Sequence, residues 1–492
     1  MDKDHTSNVF YRDRQNFLIC FSYLILSAFY VLINSKSTSP IVYARTLDSQ
    51  IFQYMGFIMA KGKIPYTDFF DHKGLLLYFI NMLGYKINPM WGVVSLQGLN
   101  LFAVCCVWYK TLIAIRYKFF RYAAIPISLL CLYPCYSCGN LTEEWSLLFI
   151  SIPLMFYYRR LEVRGMYLTN KELFISGLCV GAICMIRINN IAPITGCMLY
   201  AAIISFKNKE WRYLRKSFVL ILLGMIIPLA IGIMYMFCIG GLQGISDFIF
   251  ANWTFNIEYS KDEKVTFDIE RVRYLYKVIL PIVFIVPFVL RKKHYVIPII
   301  IGYIVTLLTI GKTQHNHYLM VFIPLLLASF TCIYPKKIIY GVLFVFLAFL
   351  NAKIFVNEFR KGDFFVNKHR DYQKLESLLR NIPSTGNKTI WSYNGAFLVD
   401  DYMKIDLLQT NRVFLPWQLN ISDALMNSEK NKIMDIKPDY VLYPLYNQSW
   451  MNESAKYEYS DIDENYIKMN YIKKSAVELN DGIVVSLLER IK

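Results

Sequence analysis

The sequence predicts a polytopic α-helical membrane protein with its N-terminus inside and its C-terminus outside, and three observations carry that expectation. Of the 492 residues, 55% are hydrophobic and 16% aromatic, and mean hydropathy is +0.34. A soluble chain of that length needs more polar surface to stay in solution. Apolar windows of spanning length recur along the chain. Between them the basic residues fall in short clusters that all land on one side when the spans alternate, as the positive-inside rule requires. The formal net charge of +17 is therefore a topology signal and not a nucleic-acid-binding face.

Windows able to cross a hydrocarbon core of ~30 Å begin at Phe17–Ile33, Trp91–Ile115, Tyr122–Ser137 and Trp145–Tyr158. They continue at Leu173–Ile186, Ile191–Phe206, Phe218–Ile239, Val278–Leu290, Tyr295–Ile310, Leu319–Ile333 and Ile338–Phe355, about eleven in all. The first is not a cleaved signal, since no small-residue cleavage site follows it. Arg12 and Arg14 precede that window. Arg116, Lys118 and Arg121 follow the second, Arg159, Arg160 and Arg164 the fourth, and Lys207, Lys209, Arg212, Arg215 and Lys216 the sixth. Arg291–Lys293 follow the eighth and Lys336–Lys337 the tenth. All of these share one side, the cytoplasmic one. The eleven cysteines lie almost wholly in apolar segments, none after Cys332, and read as packing residues. Cys135 and Cys138 form a lone CxxC, a thin basis for a metal or redox site.

The outer side then receives the polar chemistry. In its first loop Asp48 opens a run in which Ile51, Phe52, Met55, Ile58 and Met59 recur at helical spacing, an amphipathic helix suited to the membrane interface. Asp48 would cap it. Gly74–Ile87 is a second, shorter apolar run, read as interfacial or re-entrant. The second outer turn carries Thr142, a capping candidate, and Glu143 and Glu144, which favour a helix N-terminal dipole. Arg187, Asn189 and Asn190 sit at the outer end of a span, where a charge marks a site or snorkels to the interface. A later turn holds Lys312, His315, His317 and Tyr318; two histidines with no adjacent carboxylate make a weak metal clamp. No Walker, GxSxG, HExxH or dinucleotide motif stands in the context it needs.

Asp48 opening a loop helix, the run Gly62-Lys-Ile-Pro-Tyr-Thr-Asp68-Phe-Phe-Asp71-His72-Lys73-Gly74, then Gly139-Asn-Leu-Thr-Glu143-Glu144 and Arg187-Ile-Asn189 together resemble the GT-C class of membrane glycosyltransferases. The resemblance is to the bacterial branch related to protein O-mannosyltransferases and lipid A aminoarabinose transferases, and it covers about the first 350 residues. It implies a catalytic aspartate in the first outer loop, matched by Asp48, and a later lysine on the donor phosphate, matched by Lys73. Two positions depart from the better-known members. Ser49 follows Asp48, so an acidic pair for a divalent metal is missing and no cofactor is expected. His72 and Gly74 flank Lys73 where a glutamate and a proline often stand, which leaves the substrate open. The implied partners are a polyprenyl-phosphate sugar donor, a glycan or lipid-linked acceptor and membrane lipid, at the bacterial inner membrane with the active site outside.

The chemistry suits those residue types. Sugar transfer from a polyprenyl phosphate needs a base for the acceptor hydroxyl and cations for the leaving phosphate. Asp48 can be the base, with Lys73 and Arg187 on the phosphate, the arginine as a bidentate fork. Asp68, Asp71, His72, Glu143, Glu144, Asn189 and His317 are the candidates for substrate contacts; for each acid alone, a solvated loop charge is the plain alternative. The whole proposal expects Asp48, Lys73 and Arg187 in one aqueous compartment.

From residue 357 the composition turns polar. Thr389–Trp391, Tyr440–Tyr443 and Gly482–Leu488 read as strands and Tyr372–Leu379 as a helix, so 357–492 is expected to form a small outer α/β domain after a 1–356 transmembrane domain. Two other functions compete. A glycan or lipid transporter or flippase would show internal repeats and broken midplane helices, and neither is evident. A polysaccharide polymerase or ligase would concentrate arginines in large outer loops, whereas the long outer loops here carry acids too.

Overall fold

The computed structural model describes residues 3–41, 47–113, 125–126, 128–136, 138–163, 167–262, 293–310, 316–330, 345, 349, 373–383, 388–392, 402–403, 405–410, 435–443, 464–478 and 484–491. The expected spans Val278–Leu290 and, but for 345 and 349, Ile338–Phe355 lie outside them. So do Arg116, Lys118, Arg121, Arg164, Arg291, Lys312, His315, Lys336 and Lys337.

The described helices are α1 (Lys3–Asn34), α2 (Leu47–Ala60), α3 (Leu75–Ile87), α4 (Gly92–Ile113), α5 (Thr142–Val163), α6 (Asn170–Cys184), α7 (Ala192–Lys207), α8 (Trp211–Ile249), α9 (Phe255–Asp262), α10 (Lys293–Ile310), α11 (Ile323–Phe330) and α12 (Glu464–Asn470). Among the described residues, four stretches are long and apolar enough to cross a bilayer: Phe17–Asn34, Gly92–Leu112, Ile188–Lys207 and Trp211–Glu258. Leu75–Ile87, Val296–Thr309 and His317–Ala328 are apolar but shorter. On α1 the side chains of Phe17, Phe21, Ile25 and Phe29 are exposed, and on α8 those of Phe218, Leu223, Ile231 and Phe237. Apolar surface of that extent is what hydrocarbon covers.

The chain divides into two compact units. The first comprises Met1–Ala44, Gly74–Gly232 and Lys264–Ile354; the second comprises Arg45–Lys73, Ile233–Glu263 and Phe355–Lys492. In the first, α1 packs on α4, α4 on α5, α5 on α6 and α7 on α10. Small residues let backbones approach, as they do where lipid supplies no hydrophobic drive between helices. A Cβ on Gly177 would lie 2.2 Å from the Ile221 carbonyl oxygen, and one on Gly181 2.4 Å from that of Met225.

In the second unit α2 confirms the helical spacing: Ile51, Phe52, Met55, Ile58 and Met59 are all buried. Two expectations change. The helix begins at Leu47, so Asp48 lies inside its first turn and is not its N-cap; a carboxylate there still complements the dipole. Nor does α2 keep a polar face, because Ser49, Gln50, Tyr54 and Phe57 are buried as well. Protein covers them: the Tyr54 hydroxyl donates to the Leu407 carbonyl at 3.1 Å, and Lys61 pairs with Asp406 at 2.7 Å. The described residues beyond the Phe218–Ile239 window, 240–262, are also helical. Beyond Gly241 (φ 60°, ψ −150°), the only non-helical residue inside α8, the helix resumes and passes through a π-turn, Phe250–Thr254, into α9. Phe248, Ala251 and Phe255 are buried at helical spacing along it.

The polar tail contains a five-stranded mixed sheet of β1 (Thr389–Ser392), β2 (Leu408–Gln409), β3 (Tyr440–Tyr443), β4 (Tyr471–Glu478) and β5 (Val484–Arg490), in the order β2-β1-β3-β5-β4. β1 runs parallel to β2 and β3, while β5 pairs antiparallel with β3 and β4. Ile390, Val441 and Leu487 fill its centre. The alternation of apolar runs predicted this α/β arrangement.

Candidate active site

The sequence-predicted site residues divide between the units. Glu143, Glu144, Arg187, Asn189 and His317 belong to the first, and Asp48, Asp68, Asp71, His72 and Lys73 to the second.

In the first unit the chain enters α5 through a strained turn. Cys138, Gly139 and Asn140 all have left-handed backbones (φ 73°, 79° and 56°), a conformation costly for residues with a Cβ. Gly139 needs to be glycine twice over, since a Cβ there would stand 2.1 Å from Ser35 Oγ. Asn140 holds the turn: its Oδ1 accepts from Trp145 Nε1 at 3.0 Å, and its Nδ2 donates to Asn81 Oδ1 at 2.9 Å. Thr142 is the first residue of α5, not its cap.

The two carboxylates that follow meet opposite surroundings. Glu143 is 1% exposed and takes Arg187 Nη1 at 2.9 Å. Burial disfavours its charge, but Arg187 and the nearby His317 outweigh that and hold its carboxyl below the usual range. The Arg187 guanidinium stacks 4.1 Å above the Tyr318 ring centroid, a cation–π contact that the sequence did not announce. His317 is buried with its ring 4.4 Å from the same tyrosine. Glu144 is equally buried, but its donors are neutral: Gln97 Nε2 at 2.9 Å, the Tyr136 hydroxyl at 2.5 Å and the Asn140 N–H at 2.7 Å. Burial raises its pKa and those bonds offset only part of the rise. Of the asparagine pair, Asn189 is exposed, while Asn190 is buried and donates to the Thr142 carbonyl and Ser146 Oγ. Asn190 is thus a fastener of α5.

In the second unit Asp48 is half-exposed and makes no hydrogen bond or ion pair among the described residues. That is an environment in which a carboxylate remains available as a base. Asp68 closes its own turn by accepting the Ile64 N–H at 2.8 Å. Tyr66, at φ 65°, donates to the Lys73 carbonyl at 2.8 Å, and Asn256 Nδ2 donates to the His72 carbonyl at 3.0 Å. These two bonds fix the 71–73 backbone between the turn and α9. The three side chains then touch in series: Asp71 Oδ1 lies 3.2 Å from His72 Nδ1, and Lys73 Nζ 2.5 Å from His72 Nε2. Sequence reasoning named all three but missed Tyr66 and Asn256, whose roles depend on folding. Among the described residues no three His, Cys, Asp or Glu gather as metal ligands, and the Cys135 thiol is buried against the Cys131 carbonyl.

The chain is a polytopic helical membrane protein. Its fold is similar to that in the crystal structure of ArnT from Cupriavidus metallidurans bound to undecaprenyl phosphate. The TM-score is 0.59 over 96% of this chain and 98% of that one, at 9% sequence identity, so what the two share is the fold. No family model and no curated protein matches the sequence.

Proposed function

We propose that this protein transfers a sugar from a polyprenyl-phosphate carrier to an envelope glycan or lipid-linked acceptor at the outer face of the bacterial inner membrane. The observation that carries the reading is the near full-length fold similarity to a transferase whose structure holds undecaprenyl phosphate. In this reading Asp48, half-exposed and unpaired among the described residues, takes the proton from the acceptor hydroxyl. Lys73 neutralises charge on the donor phosphate as it leaves. Glu143 and Tyr318 hold the Arg187 guanidinium from its edge and its face, which keeps the fork oriented for a bidentate contact. Asp68, Asn189 and His317 are contacts for the sugar or acceptor, and the chain's own side chains carry the reaction without a resident metal.

The test is Asp48→Asn in the full chain, purified and reconstituted in lipid, with a labelled polyprenyl-phosphate sugar and membrane acceptor. The amide preserves shape and removes the base, so the protein remains folded and inserted while transfer falls by roughly a hundredfold or more, the scale of general-base catalysis. Transfer at the parent rate would remove Asp48 from the mechanism.

A further inference from the structure

The contact between His72 and Lys73 has a defined direction. Asp71 Oδ1 stands 3.2 Å from His72 Nδ1, and a carboxylate beside a ring nitrogen demands a proton on it. Neutral imidazole carries one N–H, so Nε2 is left as the acceptor. Lys73 Nζ is 2.5 Å from that Nε2, and an ammonium has only donors to offer. An imidazolium would set N–H against N–H across the same gap. The order of charge along the series is therefore carboxylate, neutral ring, ammonium. Burial keeps it in place: the side chains of Asp71 and His72 are only 6% and 9% exposed. The His72 ring lies 5.7 Å from that of Phe255, while Asn256 and Tyr66 hold the carbonyls of His72 and Lys73.

We infer that Asp71 and His72 are positioning residues for the Lys73 ammonium. Asp71 selects the Nδ1–H tautomer of His72, and the Nε2 lone pair of that tautomer accepts a hydrogen bond from the Lys73 ammonium and aims it at the donor phosphate. A four-carbon lysine stem otherwise gives up considerable rotamer freedom on binding, so fixing it beforehand strengthens capture of the phosphate without any contact from Asp71 or His72 themselves. The part concerning phosphate rests on the proposed transferase reading; the tautomer does not.

Two measurements on the full chain in lipid separate these layers. Nitrogen-15 NMR of histidine-labelled protein, with the His72 signals assigned by their loss in His72→Gln, is expected to show protonated Nδ1 and bare Nε2. A protonated Nε2 overturns the inference whatever the protein does. Binding of a short-chain polyprenyl phosphate is then measured in a double-mutant cycle. His72→Phe is expected to weaken it about tenfold, the scale of one charge-assisted hydrogen bond. His72→Gln, whose amide oxygen accepts near the Nε2 position, restores most of that loss. In a Lys73→Met background His72→Phe has no further effect. An equal loss in that background means that His72 acts on the ligand directly and overturns the positioning role. If Lys73→Met alone binds the phosphate as the parent does, the transferase reading of Lys73 fails, while the tautomer result still stands or falls on its own.

Discussion

Glu143 and Glu144 are neighbours in the first turn of one helix, and the surroundings of each teach what the other is for. Successive helical residues point about 100° apart, so one carboxylate reaches Arg187 and the other reaches Gln97, Tyr136 and the Asn140 N–H. Burial is the same for both; the partners differ in charge. Glu143 is held as an anion against a cation that is itself stacked on Tyr318. Glu144 is held by neutral groups, and burial raises its pKa. The first arrangement orients a guanidinium, which the proposed transfer would use. The second ties α5 to the strained turn and to Gln97 of α4, which is architecture.

Removing Arg187 strikes the comparison hardest. Arg187→Met leaves Glu143 buried without its cation, and the structure is expected to lose about 3 kcal/mol, read as a lowered Tm in detergent. Adding Glu143→Gln to that variant recovers at least half of the loss. If the single variant melts like the parent, the pair does not hold the region as described. Gly139→Ala comes next. Its φ of 79° and the 2.1 Å approach to Ser35 predict a cost of about 2 kcal/mol, and the loosened turn would shift the Asn140 N–H from Glu144 while sparing the Arg187 pair.

The smallest static effect belongs to Glu144→Gln, within about 1 kcal/mol, because burial already disfavours the charge that the amide removes. The pH dependence sharpens the contrast. Glu144 has a raised pKa in the fold, so the stability it adds is full below the ordinary glutamate value of about 4.3 and is lost as pH rises through the raised value. Glu143 has a lowered one, so its contribution is present above that ordinary value and is lost as pH falls through the lowered value. Tm of the parent relative to Glu144→Gln is therefore expected to climb as pH drops from 7 to 5. A flat difference would mean that Glu144 is ionised throughout.

Much of this was legible beforehand, for identifiable reasons. Helix α2 announced itself by Ile51, Phe52, Met55, Ile58 and Met59 at 3–4 spacing, and the sheet by its apolar tetrads, because periodicity is a local property. The Glu143/Glu144 pair and Arg187 stood out as charges at span ends. Their division of labour did not, since Gln97 and Arg187 each lie more than forty residues from their carboxylate and Tyr318 farther still. Asp48 was misread as a cap because residue 47 is apolar and gave no sign of joining the helix. The helical course beyond Gly241 was not legible, because it depends on the burial of Phe248, Ala251 and Phe255, which is tertiary.

The most direct measurement of the account is transfer itself. The purified chain, reconstituted in vesicles with a polyprenyl-phosphate sugar labelled in the sugar and a glycan or lipid-linked acceptor from the envelope, should move label from carrier to acceptor. Label that crosses the bilayer still attached to its carrier, with no new glycosidic product, would contradict it and make the protein a transporter built on a transferase fold.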